Sequence, residues 1–151
     1  MTDTSGVVCV DASVIVSYLL PEELSAKASW LWSQWEEHDV IIGAPAYLVL
    51  ETCHAIRKAV RSGLISPTRG DQAVAWLASS PVRLTDIGLI EVRDIWDRFV
   101  CAFDHLVTPY DAGYLYVAEM LDCELWTADD RLVRTVGEQL PWVRSLSERL
   151  D

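Results

Sequence analysis

At 151 residues the chain has the length of one ordinary domain and enough mass for a sizeable core. Hydrophobic residues make up 51% of it, which argues against intrinsic disorder, yet no apolar run approaches the ~20 residues needed to cross a bilayer. A net charge of −11 argues against binding nucleic acid through a broad basic surface, and the opening residues lack the basic region and apolar stretch of a secretion signal, so a cytoplasmic protein is expected.

Short apolar runs alternate with helical patterns along the chain. Val7–Asp11 reads as a buried strand and Val14–Leu20 as a short helix stopped by Pro21. Glu23–Glu37 reads as an amphipathic helix carrying Trp30, Trp32 and Trp35, on more faces than one core contact absorbs. After a strand at Val40–Ile42, Pro45 is placed to open a helix reaching Ser62, with Gly63 at its end. Pro67–Ser79 is helical, Val82–Ile87 a strand, and Glu91–Phe103 and Pro109–Leu121 are helical. Glu124–Thr127 is a strand, Asp130–Val136 a helix and Trp142–Leu146 a last short strand. This alternation predicts an α/β fold, with a mostly parallel sheet covered on both faces and a single domain over residues 1–151.

Cys9, Cys53, Cys101 and Cys123 form no CxxC pair, and each sits in apolar company. They are read as small buried hydrophobes rather than zinc ligands.

The informative residues are acids near strand ends, because ligands of open α/β sheets bind beyond the carboxyl ends of the strands. Asp11 closes the first strand, where it either caps the following helix, a role Ser13 could also fill, or does chemistry. Glu51 lies at the edge of a helical stripe formed by Val49, Cys53, Ile56 and Val60, and points to a crevice or to solvent. Asp111, in Thr-Pro-Tyr-Asp, occupies the third position of a helix capped by Thr108, where an acid also suits the helix dipole. Asp129 and Asp130 follow a strand, and adjacent turn residues point apart, so one is a ligand candidate and the other is not. Several acids at one sheet edge repel unless a cation holds them. Carboxylates without His or Cys companions suit Mg²⁺ or Mn²⁺.

The ordered segments Val-Cys-Val-Asp-Ala-Ser-Val-Ile-Val, Pro-Ala-Tyr-Leu-Val-Leu-Glu-Thr, Thr-Pro-Tyr-Asp-Ala-Gly-Tyr-Leu-Tyr-Val-Ala and Leu-Trp-Thr-Ala-Asp-Asp-Arg-Leu resemble the PIN-domain family. They are most similar to the VapC-type toxins of toxin–antitoxin pairs, and the likeness covers nearly the whole chain. The resemblance implies a three-layer α/β/α sandwich and a Mg²⁺- or Mn²⁺-dependent endoribonuclease. It makes Asp11 and Asp111 the central metal-binding aspartates, Glu51 the acid of the third helix and Asp129 the fourth acid. Ser13 and Thr127 become the supporting polar residues. The doubled acid leaves Asp129 against Asp130 open by one register step.

The resemblance further implies an RNA substrate and a small antitoxin partner, with a homodimer or a hetero-oligomer with the antitoxin as the assembly. Lys58 shares the azimuth of Glu51 and, with Arg57 and Arg61, is a candidate for steering phosphate; a solvated helix face is the plainer role. His54 and His105 have no required part. The tryptophan-rich helix suggests a subunit contact or a groove for an antitoxin peptide. Two alternatives stand beside this reading: a non-catalytic interaction module on the same fold, and another metal-dependent phosphohydrolase, although the Asp-x-Asp of aspartyl-nucleophile phosphatases is absent at Asp11.

Overall fold

The short β-branched runs become the strands of one sheet in the computed structural model, which describes residues 6–149. These are β1 (Val7–Val10), β2 (Ile41–Pro45), β3 (Arg83–Thr85), β4 (Glu124–Thr127) and β5 (Val143–Ser145). They pair in the order β3-β2-β1-β4-β5, and every pair is parallel. Seven α-helices connect them: α1 (Ala12–Leu19), α2 (Ser25–Glu37), α3 (Leu48–Arg61), α4 (Pro67–Ser79), α5 (Val92–Ile95), α6 (Pro109–Met120) and α7 (Asp130–Val136).

Strand order fixes the layers. The chain steps one way from β1 to β2 to β3, then returns to build β4 and β5 on the other side of β1. Right-handed crossovers therefore set α1 to α4 on one face and α5 to α7 on the other. The expected three-layer α/β/α sandwich results. With both faces covered, Cys9, Val10, Ala44 and Leu125 are fully buried. Because all strands run in one direction, their carboxyl ends share one edge.

Several boundaries differ from the sequence reading, each for a physical reason. Pro45 does not open a helix. It is the last residue of β2, paired with Thr85, and its missing N–H falls where the ladder stops. The helix begins at Leu48 and ends before Gly63, whose φ of 78° is the left-handed conformation glycine supplies there. The core stripe of α3 is Leu48, Thr52, Ile56 and Ala59, rotated from the expected one by roughly 75° at ~100° per residue. Thr52 is fully buried within this stripe, and its hydroxyl has no hydrogen-bond partner among the described residues.

The helix read at Glu91–Phe103 runs on as helical backbone but changes type along its length. After α5 the backbone passes through a π-helical turn at Trp96–Val100 and a 3₁₀ turn at Cys101–Phe103. Cys9 is buried as expected and Cys53 and Cys123 partly so, but Cys101 is exposed. The core takes two of the three tryptophans of α2. Trp32 packs on Tyr18 at 5.3 Å and Trp76 at 5.2 Å, and Trp35 on Trp126 at 6.3 Å, leaving Trp30 half exposed. No helix among the described residues is long and apolar enough to cross a membrane. The opening residues read for a secretion signal lie outside the described ones.

Candidate active site

At the carboxyl edge of the sheet, the end of β1 is tied to the end of β4 by hydroxyl groups. Asp11 follows β1 in extended conformation and caps α1, accepting a bond from the Ser13 amide at 3.0 Å. The Ser13 hydroxyl donates to the same oxygen, Oδ1, and the Thr127 hydroxyl donates to Oδ2 at 2.5 Å. Both hydroxyls also accept from β4's continuation: Ser13 Oγ from the Ala128 amide at 2.8 Å, Thr127 Oγ1 from the Asp129 amide at 3.0 Å. Ser13 and Thr127 thus position Asp11 and Asp129 together. Capping and site-building coincide at Asp11.

This carboxyl is only 5% exposed. Burial pushes it up from 3.8 to about 7, against the pull of Ser13 and Thr127, and the charge of Asp111 adds to the rise. Asp111 is the third residue of α6, its amide bonded to the capping Thr108 hydroxyl at 3.1 Å. Burial also raises its carboxyl; the charge of Asp129 adds to this, while Thr108 and Arg131 oppose it. Glu51, in the first turn of α3, is raised by burial and by Asp111, and accepts a bond from the Tyr114 hydroxyl at 2.9 Å, which pulls the other way. Asp111 is therefore the electrostatic hub, felt by Asp11 and Glu51 and itself feeling Asp129.

The doubled acid separates cleanly. Asp129 caps α7, its Oδ1 accepting from the Arg131 and Leu132 amides at 3.0 and 3.3 Å. Asp130 turns to the end of β5, where the Ser145 and Ser147 hydroxyls donate at 2.5 and 3.1 Å and hold its carboxyl below the usual range. Only Asp129 acts on the hub.

Among the described residues, no three His, Cys, Asp or Glu side chains converge closely enough to hold an ion by themselves. The donor set is nonetheless all carboxylate, partly buried and mutually repelling, which suits a hard cation that keeps part of its water shell. A cavity of about 440 Å³ lies instead at the amino ends of β1 and β4, against Val7, Glu124 and Trp142. The chemistry of the carboxylates marks this site.

Two groups escaped the sequence reading. Tyr114 lies three residues beyond Asp111 on α6, a helical spacing that places both on one side of the helix. Arg131, directly after the doubled acid, is the cation that acts on Asp111. Of the basic residues of α3, Arg57 and Arg61 line an apolar groove of about 300 Å³ between α3 and α4, while Lys58 is exposed on the helix face.

Residues 8–138 match the family profile described as PIN domain. The chain belongs to the PIN-domain family. That stretch of the PIN domain contains all four acids together with Ser13 and Thr127. The chain is 32% identical over 133 residues to "Ribonuclease VapC3" of Pyrobaculum aerophilum, covering 87% of this chain and 93% of that protein. It is 35% identical over 128 residues to "Ribonuclease VapC1" of Mycobacterium tuberculosis, covering 85% of this chain and 90% of that one.

Proposed function

We propose that this PIN-domain protein, a single domain over residues 1–151, is a divalent-metal-dependent endoribonuclease of the VapC type. In this reading it acts in the cytoplasm as the toxin of a toxin–antitoxin pair. The observation that carries the reading is Asp11: a carboxyl fastened by two hydroxyls and raised by its burial and, further, by a second acid. A helix cap needs neither burial nor a like charge beside it, whereas a cation site is made of both. The two VapC relatives, named as ribonucleases and matching most of the chain, support the reaction class.

Asp11, Asp111 and Asp129 would hold one or two Mg²⁺ or Mn²⁺ ions, partly through water, with Glu51 completing the shell or working as base. When bound, such an ion supplies Lewis acidity toward the scissile phosphate and positive charge against the carboxylates. As base, Glu51, raised by burial and oriented by Tyr114, would accept the proton of the attacking water. Ser13 and Thr127 keep Asp11 in one rotamer, so the site needs little reorganisation as the reaction proceeds. Arg131, whose charge acts on Asp111, would meet a phosphate oxygen. The partners in this reading are RNA and a small antitoxin protein, in a homodimer or a hetero-oligomer with the antitoxin.

The test uses the full chain and its Asp111→Asn variant on a mixed RNA pool. Wild-type cleavage should vanish in EDTA, return with Mg²⁺ or Mn²⁺ and not with Ca²⁺ alone, and be lost in the variant under every condition. Full cleavage in EDTA would refute the metal mechanism. Near-wild-type cleavage by both Asp11→Asn and Asp111→Asn would leave the fold as an interaction module.

A further inference from the structure

Tyr110 stands between Pro109 and Asp111 on the first turn of α6, and its ring is 61% exposed. An exposed ring is ordinarily free to turn, but this one is braced. Tyr47 meets it edge to face, with ring centres 5.7 Å apart, and the Tyr47 hydroxyl donates to the Tyr110 carbonyl at 2.6 Å. Tyr47 in turn packs on Tyr114 at 5.4 Å, and Tyr114 donates to Glu51. Gly113 leaves the room for this arrangement, since a Cβ there would lie 2.0 Å from the Tyr47 hydroxyl. A ladder of three tyrosines thus runs from an open ring to one acid of the cluster, while the next residue in the chain is the hub acid.

The charge balance gives such a ring a purpose. The protein carries −11 overall and its acids repel a phosphate backbone, while Arg57 and Arg61 border a different groove. Beside Arg131, RNA held here gains from a contact that does not depend on charge. Stacking on an aromatic face supplies one, and it tolerates any base because every base has a π-face. A braced ring also loses little freedom on binding, which makes the contact efficient. Bases inside a duplex are already stacked, so a contact of this kind selects unpaired nucleotides.

We propose that Tyr110 is a stacking platform for an unpaired base next to the scissile phosphate, with Tyr47 as its positioning residue; this rests on the ribonuclease reading and adds a base contact to that site. The test measures binding of the full chain in Ca²⁺, using a short single-stranded RNA with an internal 2-aminopurine and the same sequence inside a hairpin stem. Wild type should prefer the single strand and quench the 2-aminopurine.

Tyr110→Ala should weaken the single strand by roughly five- to a hundred-fold, abolish the quenching and leave the stem nearly unchanged. Tyr110→Phe and Tyr110→Trp should bind as wild type does. Tyr47→Phe, which frees the Tyr110 backbone but keeps the aromatic contact, should give partial quenching. Near-UV circular dichroism of each variant controls for folding. Unchanged affinity and quenching in Tyr110→Ala would overturn the proposal, as would a loss of self-association there with RNA affinity intact, which assigns the ring to a protein contact. Wild type that binds no RNA also overturns it. Tyr110-dependent quenching without any metal-dependent cleavage would sink the ribonuclease reading and leave the platform standing.

Discussion

Replacing Asp11 with asparagine should stabilise the metal-free protein, and the size of the effect follows from the site. The folded carboxyl lies at about 7 and the ordinary value is 3.8. The folded state therefore holds its proton over a pH range where the unfolded chain has already lost it. The sign follows: Asp11 costs nothing well below pH 4, and stability falls as pH rises toward and through 7. At 1.36 kcal/mol per tenfold in proton affinity, the full penalty above pH 7 is on the order of 4 kcal/mol.

Asparagine removes that penalty with small losses. Its Oδ1 still accepts from Ser13, and its amide donates to Thr127 Oγ1, whose proton then turns to Ser13 Oγ, 3.4 Å away. Allowing about 1 kcal/mol for the rearranged hydrogen bonds leaves a gain of about 3 kcal/mol at pH 8. For a domain of this size that is roughly 6–12 °C in Tm. At pH 5 the gain should shrink to about 1 kcal/mol, because wild-type Asp11 is then mostly protonated when folded. Thermal melts in EDTA from pH 5 to 8 measure it directly. Added Mn²⁺ should raise wild type far more than the variant. A variant less stable than wild type at pH 8 would refute the reasoning and make Asp11 a stabilising cap.

Three further outcomes are expected. Asp129→Asn should abolish most RNA cleavage while Asp130→Asn retains it, because Asp130 is occupied by Ser145 and Ser147; equal loss in both, read from cleavage rates, would contradict the separation. Gly113→Ala should cost roughly 1–3 kcal/mol through overpacking against Tyr47 and lower cleavage as Tyr114 and Glu51 shift; chemical denaturation beside cleavage assays checks both. Where a small antitoxin-like protein is encoded directly upstream, co-expression with it should give a complex that survives gel filtration with nuclease activity suppressed, and a failure to co-purify would count against the toxin–antitoxin assignment.

Where local chemistry decides the backbone, the sequence is a good guide. The capping Ser66 with Pro67, the capping Thr108 with Pro109, and Asp129 before α7 each mark a helix start that the structure keeps. Asp11, Asp111 and Asp129 stand out in the sequence because each follows a strand or opens a helix, whereas Glu51 stands out only at the edge of a helical stripe. What depends on distant partners does not. Thr52 lies on the inward face of α3, which no helical period built on apolar residues anticipates. Trp32 and Trp35 find Tyr18, Trp76 and Trp126 only after the layers close. Asp129 and Asp130 are equivalent in sequence, and the serines at the end of β5 separate them only once that strand has paired. The bracing of Tyr110 rests on Tyr47, sixty-three residues earlier.

The buried cluster of Tyr18, Trp32, Trp35, Trp76 and Trp126 gives the protein a built-in optical gauge. Indoles locked at fixed angles rotate near-ultraviolet light, and they lose that signal when tertiary packing loosens even if helices persist. The cluster spans α1, α2, α4 and β4, whereas the acids occupy the carboxyl edge of the sheet. A single spectrum therefore separates two kinds of failure. An inactive variant with its aromatic bands intact has lost its chemistry, and one with those bands erased has lost the layers that hold the chemistry in place.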